Sequence, residues 1–303
     1  MPSLMMVGMH GLGDNIYTRA VVRQYLDKFD EIWLETPWPQ LFHDMPSRLH
    51  LVKPRTDLRT QLKNIDRSGV LFETVPVNVD EVRRVWYFTS EIVAGKWDSV
   101  PNAMLGNMGC AIPGDYRLPI PSEWRHEALG MLPRQQKPIL IYRPLTFRLE
   151  WRATAARNPN PAAFIKIFEA IREKFFVVGI ADIDGRNEVM VSDAVSVDKS
   201  FYRGQLGIER LLGLFSAAAC VYSAPGFAIA AAQAVGTPSI TVFGGYESSR
   251  AYRSSAIFAP ALMIDPISPC DCFNELHLCD KTIDVDAAKA AVDGWLSQER
   301  LVA

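Results

Sequence analysis

Apolar and polar positions along the chain fall into short runs that switch between strand-like and helix-like spacing. Residues 4–9 form a continuous apolar run that predicts a strand, followed by the loop His10-Gly-Leu-Gly-Asp14. A helix is expected from Asn15 to about Phe29, with Ile16, Val22, Leu26 and Phe29 near one face. A strand at 31–35 completes a strand-helix-strand unit, the start of a parallel α/β sheet. Weaker alternation continues through 49–53 and 70–75, and residues 79–94 read as helical. Between 95 and 121 the chain is rich in Gly, Pro and Asn, and a helical stretch at 122–131 ends before Pro133.

The second half repeats the alternation more cleanly. Strands are expected at 139–142, 175–180, 220–223 and 239–243, with helices at 161–174, 208–217, 227–235 and 285–296, the last capped by Asp284. The expected fold class is therefore α/β, with two Rossmann-like, doubly wound domains, 1–133 and 134–303. Such domains meet ligands at the carboxyl ends of their strands, in a cleft between them.

A length of 303 residues accommodates two such domains, and 49% hydrophobic with 22% charged residues is ordinary globular composition. Thirty-two basic against 34 acidic residues leave a net charge of −2, which argues against non-specific nucleic-acid binding. Five cysteines, three of them between 270 and 279, do not form a secreted disulfide framework, and no signal-peptide pattern opens the chain, so a cytoplasmic location is expected. Residues 211–243 carry no Asp, Glu, Lys or Arg, but Pro225-Gly226 and the turn at 236–238 divide them, which argues against a membrane span.

Chemistry is sought in the loops after the strands. Gly11 and Gly13 open the first helix and allow close backbone approach, while Asp14 reads either as the helix N-cap or as a functional carboxylate. The loop that begins the second domain carries Arg143, Thr146, Arg148, Arg152 and Arg157 against the single acid Glu150, a pattern suited either to an anionic ligand or to a solvated basic loop. Pro225 and Gly226 precede a helix of small residues, and Gly244, Gly245 and Glu247 form a second glycine loop in which Glu247 either accepts sugar hydroxyls or pairs with Arg250. Cys270, Cys272, His277 and Cys279 are four potential zinc ligands. The Cys-x-Cys spacing is tighter than usual and no second knuckle follows, so a reduced structural cluster is expected rather than a metal.

Taken in order, these loops resemble the heptosyltransferase-like glycosyltransferases, glycosyltransferase family 9. The resemblance rests on Met9-His-Gly-Leu-Gly-Asp-Asn15, on the block from Gly204 to Leu212 through 218–223 and 230–243 to Gly244, and on Pro269-Cys-Asp-Cys272 with His277, Cys279 and Ile283. It implies a GT-B fold and inverting transfer from a nucleotide diphosphate sugar without an obligatory metal or other cofactor. Asp14 would be the base, with Gly11, Gly13 and Asn15 on the acceptor side. Thr146, Arg148, Arg157, Pro225, Gly226, Gly244 and Gly245 would lie on the donor side. Where that family usually has an Asn-Asp-Ser-Gly turn this chain reads Ala224-Pro-Gly-Phe227, so donor hydroxyl recognition is assigned to Glu247. The acceptor, whether saccharide, lipid core, protein or nucleic acid, is not named by the sequence, and peripheral membrane contact is compatible with it. A nucleotide-sugar epimerase on the same fold and a non-catalytic nucleotide-sugar or glycan binder are the competing readings.

Overall fold

A computed structural model describes residues 2–151, 156–191, 195–252, 258–274 and 276–301. The chain divides into two compact units, with the change at Pro119/Ile120. The first unit holds β1 (Ser3–Val7), α1 (Leu12–Leu26), β2 (Glu31–Glu35), β3 (Leu49–Val52), α2 (Arg59–Ser68), β4 (Glu81–Arg84), α3 (Thr89–Val93) and α4 (Val100–Asn107). Its four strands form one parallel sheet in the order β3-β2-β1-β4.

The second unit begins with α5 (Ser122–Gly130), β5 (Ile139–Tyr142), β6 (Thr146–Arg148), α6 (Pro161–Glu169), β7 (Phe176–Ile180), β8 (Glu188–Met190) and β9 (Lys199–Phe201). It continues with α7 (Ile208–Ala217), β10 (Cys220–Ser223), α8 (Phe227–Val235), β11 (Ser239–Val242), β12 (Ala261–Ile264) and α9 (Val285–Gln298). Six strands make a parallel sheet in the order β12-β11-β10-β5-β7-β9, and β6 pairs antiparallel with β8 apart from it. The central strands β5, β10 and β11 are buried at every position, as a sheet covered on both faces requires. Tyr142, Phe164, Phe168 and Tyr222 pack into one aromatic cluster, in which the Tyr222 hydroxyl donates to the Phe164 carbonyl at 2.7 Å.

Several expectations need correction. The boundary expected at 133/134 follows α5, whereas the compact units divide ahead of it, because α5 lies so close on α7 that a side chain on Gly213 would strike the Trp124 carbonyl. Residues 79–94 are not one helix: β4 is an edge strand with its Val82 exposed, and only α3 is helical. Residues 70–75 hold no strand, and the preceding α2 buries Ile65 together with the polar Gln61 and Asn64, which hide the helical period. Residues 211–243 form parts of α7, β10, α8 and β11, and among the described residues no helix is long and apolar enough to cross a membrane.

Candidate functional site

In the first unit, α1 starts at Leu12 rather than at Asn15, because the Asn15 N–H already bonds the Gly11 carbonyl at 3.0 Å. Gly11 is therefore the N-cap, with no side-chain bond, and the reading of Asp14 as the cap falls. Asp14 and Gly13 stand in the first turn, where the helix dipole favours a negative charge. The Asp14 carboxylate folds back over Gly11, and the Tyr87 hydroxyl approaches Oδ1 at 3.5 Å.

The loop before the helix is held by side chains the sequence reading did not connect. Asn15 is buried and turned inward: its amide donates to the carbonyls of Met9 at 2.7 Å and Gly11 at 2.9 Å and accepts from the Thr36 hydroxyl at 2.8 Å. Both ends of the Asn15 amide are thus engaged within the protein. The His10 carbonyl accepts from Trp38 Nε1 and Gln61 Nε2, each at 2.9 Å. The His10 ring bonds Glu35 through Nε2 at 2.9 Å. A cavity of about 340 Å³ opens at the carboxyl ends of β1, β2 and β4, with His10, Glu35, Arg84, Trp86 and Tyr87 among its walls. Its volume suits a small ligand.

Beneath this surface lies Arg19, fully buried on α1. Its guanidinium donates two parallel bonds to Asp44, both 2.8 Å, and others to the carbonyls of Leu41 and Arg117. Burial, the largest influence on Asp44, raises its pKa, but the Arg19 hydrogen bonds and charge outweigh it and hold the carboxyl below its ordinary value.

In the second unit the expected basic loop is largely neutralised. Glu188, 2% exposed on β8, accepts from Thr146 Oγ1 at 2.9 Å and from Arg143 at 3.3 Å, and Arg148 Nε lies 3.5 Å away. Burial pushes the Arg143 pKa down, against the pull of Glu188, and its guanidinium lies over the Phe227 ring. Arg152 lies outside the described residues.

Glu247 is likewise not presented to a ligand, and its partner is not Arg250. It is 2% exposed, and Arg157 grips Oε1 through Nε at 2.7 Å and Nη2 at 2.6 Å, while the Tyr252 hydroxyl donates to Oε2 at 3.1 Å. The carboxylate expected to recognise donor hydroxyls is thus taken up by Arg157, whose side chain stays 46% exposed. Lys281 holds the same segment by donating to the carbonyls of Ala156 at 3.0 Å and Asn158 at 2.8 Å. A side chain on Gly244 would strike the Asn158 carbonyl, so that glycine serves close packing of the two loops.

Gly226 is different. It caps α8 with φ +142° and ψ −154°, a conformation for glycine alone, and a Cβ there would meet nothing within 4 Å. The backbone after Pro225 therefore faces open space at the start of a helix that has no side-chain cap. The small residues of α8 have a packing role, since Ala228 to Ala234 are all buried.

The ligand atoms of Cys270, Cys272, His277 and Cys279 lie within 4.8 Å of one another. His277 and Cys279 thus stand beside the closely spaced Cys270 and Cys272.

No protein-family model matches the sequence, and no curated protein is matched by it. Solved structures are similar throughout. ADP-heptose LPS heptosyltransferase II from E. coli has a TM-score of 0.63 at 12% identity, covering 99% of this chain and 100% of that one. A glycosyl transferase family 9 protein from Veillonella parvula has a TM-score of 0.60 at 11% identity, covering 98% of each. TibC from enterotoxigenic E. coli, an iron-containing dodecameric heptosyltransferase, has a TM-score of 0.55 at 12% identity in its complex with ADP-D-β-D-heptose, covering 99% of this chain and 76% of that one. The fold is the α/β fold of the GT-B glycosyltransferases, and it extends over nearly the whole chain.

Proposed function

We propose that the protein is a glycosyltransferase that moves a sugar, heptose-like or hexose, from a nucleotide diphosphate sugar to an acceptor hydroxyl with inversion. The observation that carries this reading is the carboxylate of Asp14 at the carboxyl end of β1, within a fold shared end to end with heptosyltransferases. The ADP-D-β-D-heptose bound by TibC makes an ADP-sugar the first donor to test. The first unit holds the acceptor in the cavity beside His10, Glu35 and Tyr87, and the second holds the donor.

In the transfer step the acceptor oxygen bonds to the anomeric carbon while Asp14 takes its proton. The bond from that carbon to the diphosphate oxygen breaks on the opposite face, and the nucleotide diphosphate departs with the electron pair. Free backbone N–H groups at the start of α8, together with Arg148 and Arg157, meet the growing negative charge. Glu188, itself bonded by Thr146, pairs with Arg148, and Glu247 holds Arg157. The step proceeds without a metal ion, and a reducing cytoplasm suits the surface thiols.

Asp14→Asn keeps the side-chain shape but cannot accept the proton. It is expected to lower turnover at least ~100-fold while leaving donor affinity within about twofold. Full turnover in Asp14→Asn would remove the base from this account. A second reading, a nucleotide-sugar binder without turnover, is favoured by the Ala224-Pro-Gly-Phe227 turn, which has no carboxylate, and by the inward-facing Glu247. Acceptor-dependent release of nucleotide diphosphate separates the two.

A further inference from the structure

Between the end of β12 at Ile264 and the start of α9 at Val285 the chain runs without helix or strand among the described residues, and the proposed transfer makes no use of it. We propose that this segment is a metal knuckle, in which Cys270, Cys272, His277 and Cys279 bind one zinc-class ion that buckles the loop carrying Glu247 into place. The proximity of the four donors is its geometric basis. Sγ of Cys270 and Cys279 are 3.3 Å apart, and Sγ of Cys272 is 3.1 Å from His277 Nδ1. A tetrahedral centre with bonds of about 2.3 Å to sulfur and about 2.0 Å to nitrogen has edges of about 3.5–3.8 Å. Both pairs reach that geometry with shifts of about half an ångström.

The backbone is turned toward the sulfurs. Backbone N–H groups of Cys272 and Asn274 point at the sulfurs of Cys270 and Cys272, at 3.3 and 3.4 Å, and so orient them as outer-shell donors do around a metal ligand. Cys270 is half-buried and Cys272 and Cys279 are exposed, whereas a cysteine kept for packing is buried, as Cys220 is. Three sulfurs and one imidazole with no oxygen select a borderline-soft ion, zinc or iron, over magnesium or calcium.

The residues interleaved with the ligands face the glycine loop. Asp271 accepts from the Ser248 N–H at 2.7 Å, and Phe273 donates its N–H to the Tyr246 carbonyl at 2.9 Å while its ring meets Tyr246 edge-on. His277 Nε2 is buried without a hydrogen-bond partner, and a Cβ on Gly245 would lie 3.2 Å from it. Closing the four ligands on an ion therefore fixes Tyr246 and Ser248, the residues on either side of Glu247. The ion is a positioning element, and only its consequence for donor binding rests on the proposed function.

The test uses the full chain purified without chelator under reducing conditions. Elemental analysis is expected to find about one zinc or iron per chain, falling at least fivefold in Cys272→Ser and in His277→Asn. Stripping the wild type with a chelator is expected to speed amide exchange across residues 244–250 at least tenfold, and Zn²⁺ alone should reverse the change. Protein that holds no metal and takes up none from added Zn²⁺ overturns the site, as does a Cys270–Cys279 disulfide in the reduced preparation or full retention of metal by both variants. Bound metal with unchanged exchange over 244–250 overturns the buckle. Neither readout involves a nucleotide, so failure here is distinct from failure of the proposed transfer.

Discussion

Removal of the Arg157 guanidinium should expose how the two loops of the second unit are joined. In Arg157→Met the Glu247 carboxylate, 2% exposed, keeps the Tyr252 hydroxyl at 3.1 Å but loses both charged donors at 2.6–2.7 Å. Breaking a fully buried ion pair costs about 3–5 kcal/mol. Because the Arg157 side chain is nearly half exposed, solvent offsets part of this, and a loss of about 2–3 kcal/mol is expected. Glu247→Gln, which keeps the shape and leaves the arginine access to water, should cost about 1–2 kcal/mol. The double variant has no buried charge to leave unpaired, so its loss should fall short of the sum by about 1–2 kcal/mol. Urea unfolding of the four proteins at one pH, with equal slopes, measures this coupling. Additivity within about 0.5 kcal/mol would refute the clamp and return Glu247 to a direct part in donor recognition. In the folded proteins, Arg157→Met should also weaken binding of a nucleotide diphosphate about tenfold or more.

Two further outcomes follow from the geometry. Arg19→Met takes the paired donors from Asp44, which keeps only Arg23 at 3.2 Å, and strips the carbonyls of Leu41 and Tyr116 of their side-chain donor, so a loss of about 2–4 kcal/mol is expected. Because the folded pKa of Asp44 lies below its ordinary 3.8, its contribution is complete above that pH and is lost as pH falls through the folded value. Melting temperatures between pH 2 and 6 should therefore lose part of their acid limb in Arg19→Met, and parallel curves would contradict the pairing. Gly226→Val meets no neighbouring atom but forces φ +142° on a branched residue, so about 1–3 kcal/mol of backbone strain and loss of donor binding are expected together. Calorimetry with an ADP-sugar that gives wild-type affinity would take the donor away from this turn.

The strands of the second unit were legible because β5, β10 and β11 are buried on both faces and read as unbroken apolar runs. The first unit was less so, since α2 turns Gln61 and Asn64 inward and the edge strand β4 leaves Val82 in solvent. Both invert the usual pattern. At the candidate site, residue type singled out loops but did not show their contacts. Arg157 and Glu247 are 90 positions apart, and Arg143 and Glu188 are 45 apart, so no local spacing joins them. The basic loop therefore read as unopposed. Asp14 was misplaced by one element boundary, because Leu12-Gly13 does not resemble the first turn of a helix although Gly11 makes an adequate cap.

The central claim is most directly tested by nucleotide diphosphate release, followed with ADP-heptose and a panel of other nucleotide diphosphate sugars, with and without acceptor glycans, in the wild type and Asp14→Asn. The account predicts release that depends on an acceptor in the wild type and falls at least ~100-fold in Asp14→Asn. Equal release by both proteins, or tight donor binding with no release on any acceptor, would contradict it.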